Sequence, residues 1–189
     1  MSTNTMSVLL TINNGNTELL NQDKEDLIHL TLESMKHYIQ RQSPKDTVKI
    51  LLSTQNYLKR GSLKYNETLP LSIGDVCYID FGQAYLNEAG YQHFGLILSM
   101  MNGKAFVVPM TSNPVTYEQA YDKQTNPKGK VHLMRVGQPQ GLNKPSVLFI
   151  NDSKFINTSR IIEVKGHLDI HDELFERIRR RVFHCIFEQ

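Results

Sequence analysis

FGLILSMMNGKAFVVPM, residues 94–110, decides how this chain reads. Two apolar runs flank Asn102-Gly103, and a type I′ turn needs positive φ at both of its central positions, which Asn-Gly tolerates. The stretch therefore predicts an antiparallel hairpin. A polar loop ending in Gln92 and His93 enters the first run, and the second run stops at Thr111-Ser112. Arms of matching length should bring those two ends together at an open mouth. Pro109 has no N–H to give to a ladder, so its strand should have an edge or a bulge there.

Outward from the hairpin the same period continues. GDVCYIDF (74–81) and KVHLMRV (130–136) alternate, and SVLFI (146–150) and IIEV (161–164) are short strand candidates. Several short strands with turns between them predict a small barrel or sandwich. The tail returns to helical spacing over 169–187. Ile170, Leu174, Phe175, Ile178, Val182 and Ile186 share a face, and Arg177, Arg180 and Arg181 lie off it.

The first third reads as two helices. Asp23 is positioned to cap a segment carrying Leu27, Ile28, Thr31, Met35, Tyr38 and Ile39. Ser43 as N-cap, Pro44 at the first helical position and Gly61 as stop frame another. Its face of Val48, Leu51, Leu52, Gln55 and Leu58 is expected to be buried in packing. The period changes near Leu71. The expected organisation is a helical extension over 1–70 and an α+β barrel domain over 71–189, with the two helices packed outside.

Composition narrows the functional classes. The 189 residues are 40% hydrophobic and 21% charged, as in a globular protein, and a net charge of +2 does not argue for nucleic acid. No apolar run approaches the ~20 residues of a membrane span. The start MSTNTMSVLL lacks a basic, apolar leader, so the cytoplasm is the expected location. Cys77 and Cys185 make no framework, and His167 and His171 lack partners at ligand spacing, so neither metal nor cofactor is expected. His184 and Cys185 read as packing residues.

The series GDVCYIDFG (74–82), Asn87-Glu88-Ala89-Gly90, QHFGLIL (92–98) and VVPMTS (107–112) resembles the MazF/PemK family of toxin endoribonucleases. VLFINDSKFINTSRI (147–161) and the closing GHLDIHDELFERIRRRV (166–182) are similar to that family's later segments. The resemblance covers about 71–189. It implies an SH3-like barrel, a homodimer, metal-independent cleavage of single-stranded RNA in the cytoplasm, and neutralisation by a cognate antitoxin. The chain also departs from the pattern. The family's usual loop arginine falls at His93 and the following proline at Phe94. Gln92 stands just before, and an acid that often precedes the Ser-Arg pair is here Asn157.

RNA is cut without metal when its own 2′-hydroxyl attacks phosphorus, given a base, an acid and oxyanion donors. His93 is the candidate acid or base. Thr111 and Ser112 are candidate donors, and the Gln92 amide is an uncharged donor where the family has a cation. Each has a bland alternative: a loop histidine, and a strand running out into a turn. After Ser112 a long connection carries Tyr117, Tyr121, Lys123 and Lys128, which suit stacking on bases and contact with phosphates. It also reads as a solvated loop. Arg160 is a phosphate contact or a surface ion-pair partner. Two other functions remain open: a non-catalytic barrel binding RNA or protein, and a barrel ribonuclease restrained by an RNA antitoxin.

Overall fold

A computed structural model describes Ser7, residues 9–10 and 13–14, and 17–187. It forms two compact units that divide between Val48 and Lys49. The first unit is dominated by α1, Thr17–Gln40, whose buried apolar residue is Leu27. Asp23 lies inside this helix instead of capping it, because the helical turns already begin at Thr17. Ile28 and Tyr38, expected on its packing face, are exposed.

The second helix, α2, Pro44–Arg60, has the punctuation its sequence predicts. The Ser43 hydroxyl oxygen accepts from the Asp46 N–H at 3.2 Å and donates to the Asp46 carboxylate at 2.8 Å. At the other end the Gly61 N–H closes the last turn on the Tyr57 carbonyl. Its packing differs from expectation. Val48, Leu51, Leu52 and Leu58 are exposed by 48–71%, and the buried residues are Ile50 and Ser53. The helix is held by a polar stripe, described below, and that turns its apolar stripe outward.

Seven strands follow: β1 (Asp75–Asp80), β2 (Gln92–Met101), β3 (Lys104–Thr111), β4 (Leu133–Gly137), β5 (Ser146–Phe149), β6 (Lys154–Asn157) and β7 (Ile161–His167). The order β4-β5-β3-β2-β1-β7 is antiparallel throughout, and β6 pairs with the first half of β3. The fold is thus α+β with a bent antiparallel sheet, as the resemblance implies. The ring is open, since β4 and β7 end the order unpaired with each other.

Asn102 and Gly103 have φ of 50° and 74°, so the hairpin turns as its Asn-Gly predicts. Pro109 sits where β3 changes partners. Its neighbours Lys104–Val107 pair with β6, and Met110–Thr111 pair with β5. No ladder bond is asked of proline on that side. The strand β6 was not anticipated. Its sequence KFIN has a single buried apolar residue, Ile156, too little for a period to show.

Two apolar clusters lie on opposite faces. One holds Val76, Leu96, Val108, Met110 and Leu148 against Phe175, Ile178 and Val182 of α4, Glu173–Phe187. Burial of each such side chain stabilises by roughly 1.5–3 kcal/mol. The other holds Cys77, Ile79, Ile97, Val107, Ile156 and Ile161 inside the bend. Ile170 and Ile186, the ends of the expected helical face, remain exposed. No helix among the described residues is long and apolar enough to cross a membrane.

Candidate functional site

The site is built from strand register. Phe94 and Met110 are the outermost pair of β2 and β3, so Gln92 and His93 continue β2 beside the end of β3 at Thr111. On the other side His93 pairs with Ile79 and Gln92 with Asp80. Gln92 and His93 thus start β2 at the end of the sheet where β3 runs out at Thr111, with a bulge between Ile97 and Ser99 setting the offset between the arms. Thr111 is half-buried, with its hydroxyl accepting from the Asn113 N–H at 3.2 Å; Ser112 is exposed.

The loop that delivers Gln92 is closed at its neck. Phe81 N–H donates to the Tyr91 carbonyl and Tyr91 N–H to the Gly82 carbonyl. Ala89 N–H donates to the Asp152 carboxylate at 2.8 Å. Gly82 has a φ of 83°, and a Cβ there would meet Arg160 Nη1 at 2.9 Å. The positive φ is what calls for glycine, since the exposed Arg160 side chain can move aside.

Five residues that the sequence reading did not single out, Asp80 and the helical Lys49, Ser53, Asn56 and Arg60, complete this end of the sheet. Asp80 is buried. Its Oδ1 accepts from Ser53 Oγ at 2.9 Å and from the Gly82 N–H, and its Oδ2 accepts from Asn56 Nδ2 at 2.9 Å. Gln92 Nε2 donates to the Lys49 carbonyl at 3.4 Å, and Arg60 Nη1 to the Ile161 carbonyl at 3.1 Å. Positions 49, 53, 56 and 60 follow helical spacing, so one stripe of α2 crosses the ends of β2, β1 and β7. That polar i, i+4, i+7, i+11 stripe was present in the sequence, overshadowed by the apolar one.

Two effects hold the His93 imidazole below the usual histidine range: burial first, then the positive charge of Lys49. His93 is consequently neutral at pH 7 and able to accept a proton. Cys77 offers no alternative nucleophile, since burial and then Asp75 push its thiol up to about 12.

The other candidates are dispersed. Arg160 is exposed on the 3-10 turn Thr158–Arg160, and its Nη1 donates to the Asp80 carbonyl at 3.3 Å. The connection after Ser112 carries local structure while most of its residues stay exposed or half-buried. It contains α3, Pro114–Gln119, capped by the Asn113 side chain, and a turn in which Asp122 accepts from Gln124 and Thr125. Tyr117 packs against Ala120, Leu133 and Val147 with the Arg135 guanidinium 4.8 Å from its ring centroid. Tyr121 is half-buried, with Arg181 5.7 Å from its ring centroid. Lys123 and Lys128 are exposed. Among the described residues no cluster of three His, Cys, Asp or Glu side chains is placed to hold a metal.

The fold defines a class: an α+β chain whose seven-stranded antiparallel sheet is backed by a C-terminal helix. No protein-family model matches the chain, and no curated protein matches it. Among solved structures it is similar to MazF from Deinococcus radiodurans, with 17% identity and a TM-score of 0.47 over 62% of this chain and 97% of that one. It is similar to the Mycobacterium tuberculosis toxin MazF-mt6, with 14% identity and a TM-score of 0.41 over 59% and 95%. A MazE–MazF structure from Deinococcus radiodurans has 15% identity and a TM-score of 0.42 over 63% and 97%.

Proposed function

We propose that the chain is a metal-independent endoribonuclease that cleaves single-stranded RNA at the mouth formed by Gln92, His93, Thr111 and Ser112. What supports this reading is the pairing of Phe94 with Met110, which ends β2 and β3 side by side, so that His93 continues β2 next to the strand end that carries Thr111 and Ser112. His93 takes the proton of a ribose 2′-hydroxyl as that oxygen attacks the adjacent phosphorus. The bond from phosphorus to the 5′-oxygen breaks, leaving a 2′,3′-cyclic phosphate and a 5′-hydroxyl that takes its proton from solvent. Thr111 and Ser112 donate to the phosphoryl oxygens, whose charge grows as the new bond forms. Lys49 supplies the positive charge that Gln92 lacks. In this reading Tyr117, Tyr121, Lys123, Lys128 and Arg160 are the RNA contacts outside the mouth.

The sequence resemblance supports a toxin of the cytoplasm, held in check by a cognate antitoxin and acting as a homodimer. Phe183 and Phe187, both exposed with ring centroids 4.9 Å apart, and Ile186 offer apolar area for self-association. Residues 1–70 stand as an extension of the catalytic domain over 71–189, with Lys49–Arg60 as one wall of the mouth.

One observation favours a second reading, a barrel that binds RNA or protein without cutting. The Gln92 amide is engaged by the Lys49 carbonyl and the loop carries no arginine. Incubating purified full-length protein with a long unstructured RNA in chelator decides between them. Fragments ending in cyclic phosphate support the nuclease. Intact RNA, bound tightly or left unbound, overturns it.

A further inference from the structure

A cleft of about 440 Å³ opens where the sheet fails to close, at the β4 edge. Its walls are α4 on one side and the β3–β4 connection on the other. Five cationic side chains line it, Lys123, Arg135, Arg177, Arg180 and Arg181, with Asp122 as the one acid. Asp122 stays ionised, since the Thr125 N–H and hydroxyl and the Gln124 N–H stabilise its carboxylate, and with Glu118 Oε2 3.7 Å from Arg135 Nη2 it offsets only part of the excess.

Two of the arginines are held in place. Arg135 Nε donates to the Tyr117 carbonyl at 2.9 Å and its Nη1 to the Thr125 hydroxyl at 3.0 Å. Arg181 Nη2 donates to the Val131 carbonyl at 2.8 Å. Arg180 leans on Glu176 at 3.0 Å, and Arg177 is exposed. Like charges gathered this closely repel, and an anion relieves that repulsion.

Register fixes where the cleft lies relative to the mouth. Thr111 pairs with Val147 and Val147 with Arg135. This makes one row across β3, β5 and β4, and β2 with His93 is the next strand beyond β3. At the usual strand spacing, Arg135 stands about 10 Å from Thr111 and about 15 Å from His93, backbone to backbone. A chain lying in the mouth reaches the cleft within a few nucleotides.

We infer that this cleft is a second binding site, holding the phosphodiester backbone of single-stranded RNA away from the point of cleavage. The inference rests on the ribonuclease reading for its direction, from mouth to cleft. Guanidinium forks fit phosphate and carboxylate alike. Tyr121, which lines the cleft with Arg181 5.7 Å from its ring centroid, adds an aromatic surface suited to an unpaired base, which an acidic peptide does not use. The cleft gives the enzyme a grip on the RNA backbone that does not depend on base identity, and leaves sequence choice to the mouth.

The test uses a 2′-O-methyl RNA of about twelve nucleotides and mixed sequence, which binds without being cut. Arg177→Gln with Arg180→Gln should weaken binding by about tenfold and lower the salt slope by about 1.4, the share of two phosphate contacts. Arg177→Lys with Arg180→Lys should keep most of both. NMR titration of His93 in the glutamine variant should match wild type, showing the mouth intact. Unchanged affinity and slope in the glutamine variant overturn the proposal, as does an equal loss in the lysine variant. Wild type that ignores the RNA but binds a poly-glutamate peptide overturns it in favour of an acidic protein partner. Binding that follows the cleft residues, in a protein that cuts no RNA, leaves the cleft standing and removes the nuclease reading instead.

Discussion

Ser53 Oγ donates to Asp80 Oδ1 over 2.9 Å, joining α2 to the last residue of β1 across 27 positions of chain. The bond is buried, and Asn56 and the Gly82 N–H share the same carboxylate. This one acid gathers the helix, the strand end and the start of the β1–β2 loop.

Removing one donor leaves the others in place, whereas removing the acid strands three. Ser53→Ala should therefore destabilise by about 1–3 kcal/mol, the worth of a hydrogen bond to a charged group. Asp80→Ala should cost more than Ser53→Ala and Asn56→Ala separately, because it leaves buried donors unsatisfied. Urea unfolding of the three variants measures the ranking.

His93 is depressed below its ordinary range by burial and by Lys49. Acting as a base, it should keep cleavage flat through neutral pH and lose it only as pH falls below the ordinary histidine range. Lys49→Ala removes the second cause, so the acidic limb should move to higher pH. Rate against pH for both proteins checks this, and a limb that stays put removes Lys49 from the site.

The same shift has a consequence for stability. With the folded pKa below the unfolded one, the unfolded chain binds more protons between the two values. Stability should be complete above about pH 6.5 and fall as pH drops through that window. His93→Phe should flatten this acid loss, as read by thermal unfolding at several pH values.

At the mouth, His93→Ala should slow cleavage by on the order of 10²–10⁴, the usual worth of one general base. Thr111→Val with Ser112→Ala should also slow it, while circular dichroism and the unfolding midpoint stay close to wild type. At this strand end the Thr111 hydroxyl accepts from the Asn113 N–H, and Ser112 is exposed. Cleavage unaffected by both variants would leave the mouth without a role.

Gly103→Val tests the hairpin. At φ 74° a β-branched residue is strained, and its Cβ would approach Tyr65 Cβ at 3.0 Å. A loss of about 1–2 kcal/mol is expected from the backbone conformation alone. Gly137→Ala, at φ 66° with open space around it, should show the backbone part of that cost without the contact.

The sequence by itself determined the hairpin, since Asn102-Gly103 between two apolar arms has one low-energy way to turn. It did not determine the register beyond the turn, because a bulge between Ile97 and Ser99 shifts the pairing by one residue before the arms reach Phe94 and Met110. The closing helix and the caps of α2 were legible as the turn was: their signals lie within a few residues of each other. Only the tertiary structure decided which stripe of α2 is used. Its apolar residues made the stronger local pattern, but the buried Asp80 carboxylate needed donors, and an unpaired buried charge costs more than exposed leucines do. The four-residue β6 and the cationic cleft at the β4 edge were likewise hidden, being made by residues far apart in sequence whose meeting depends on where the sheet bends and where it stops.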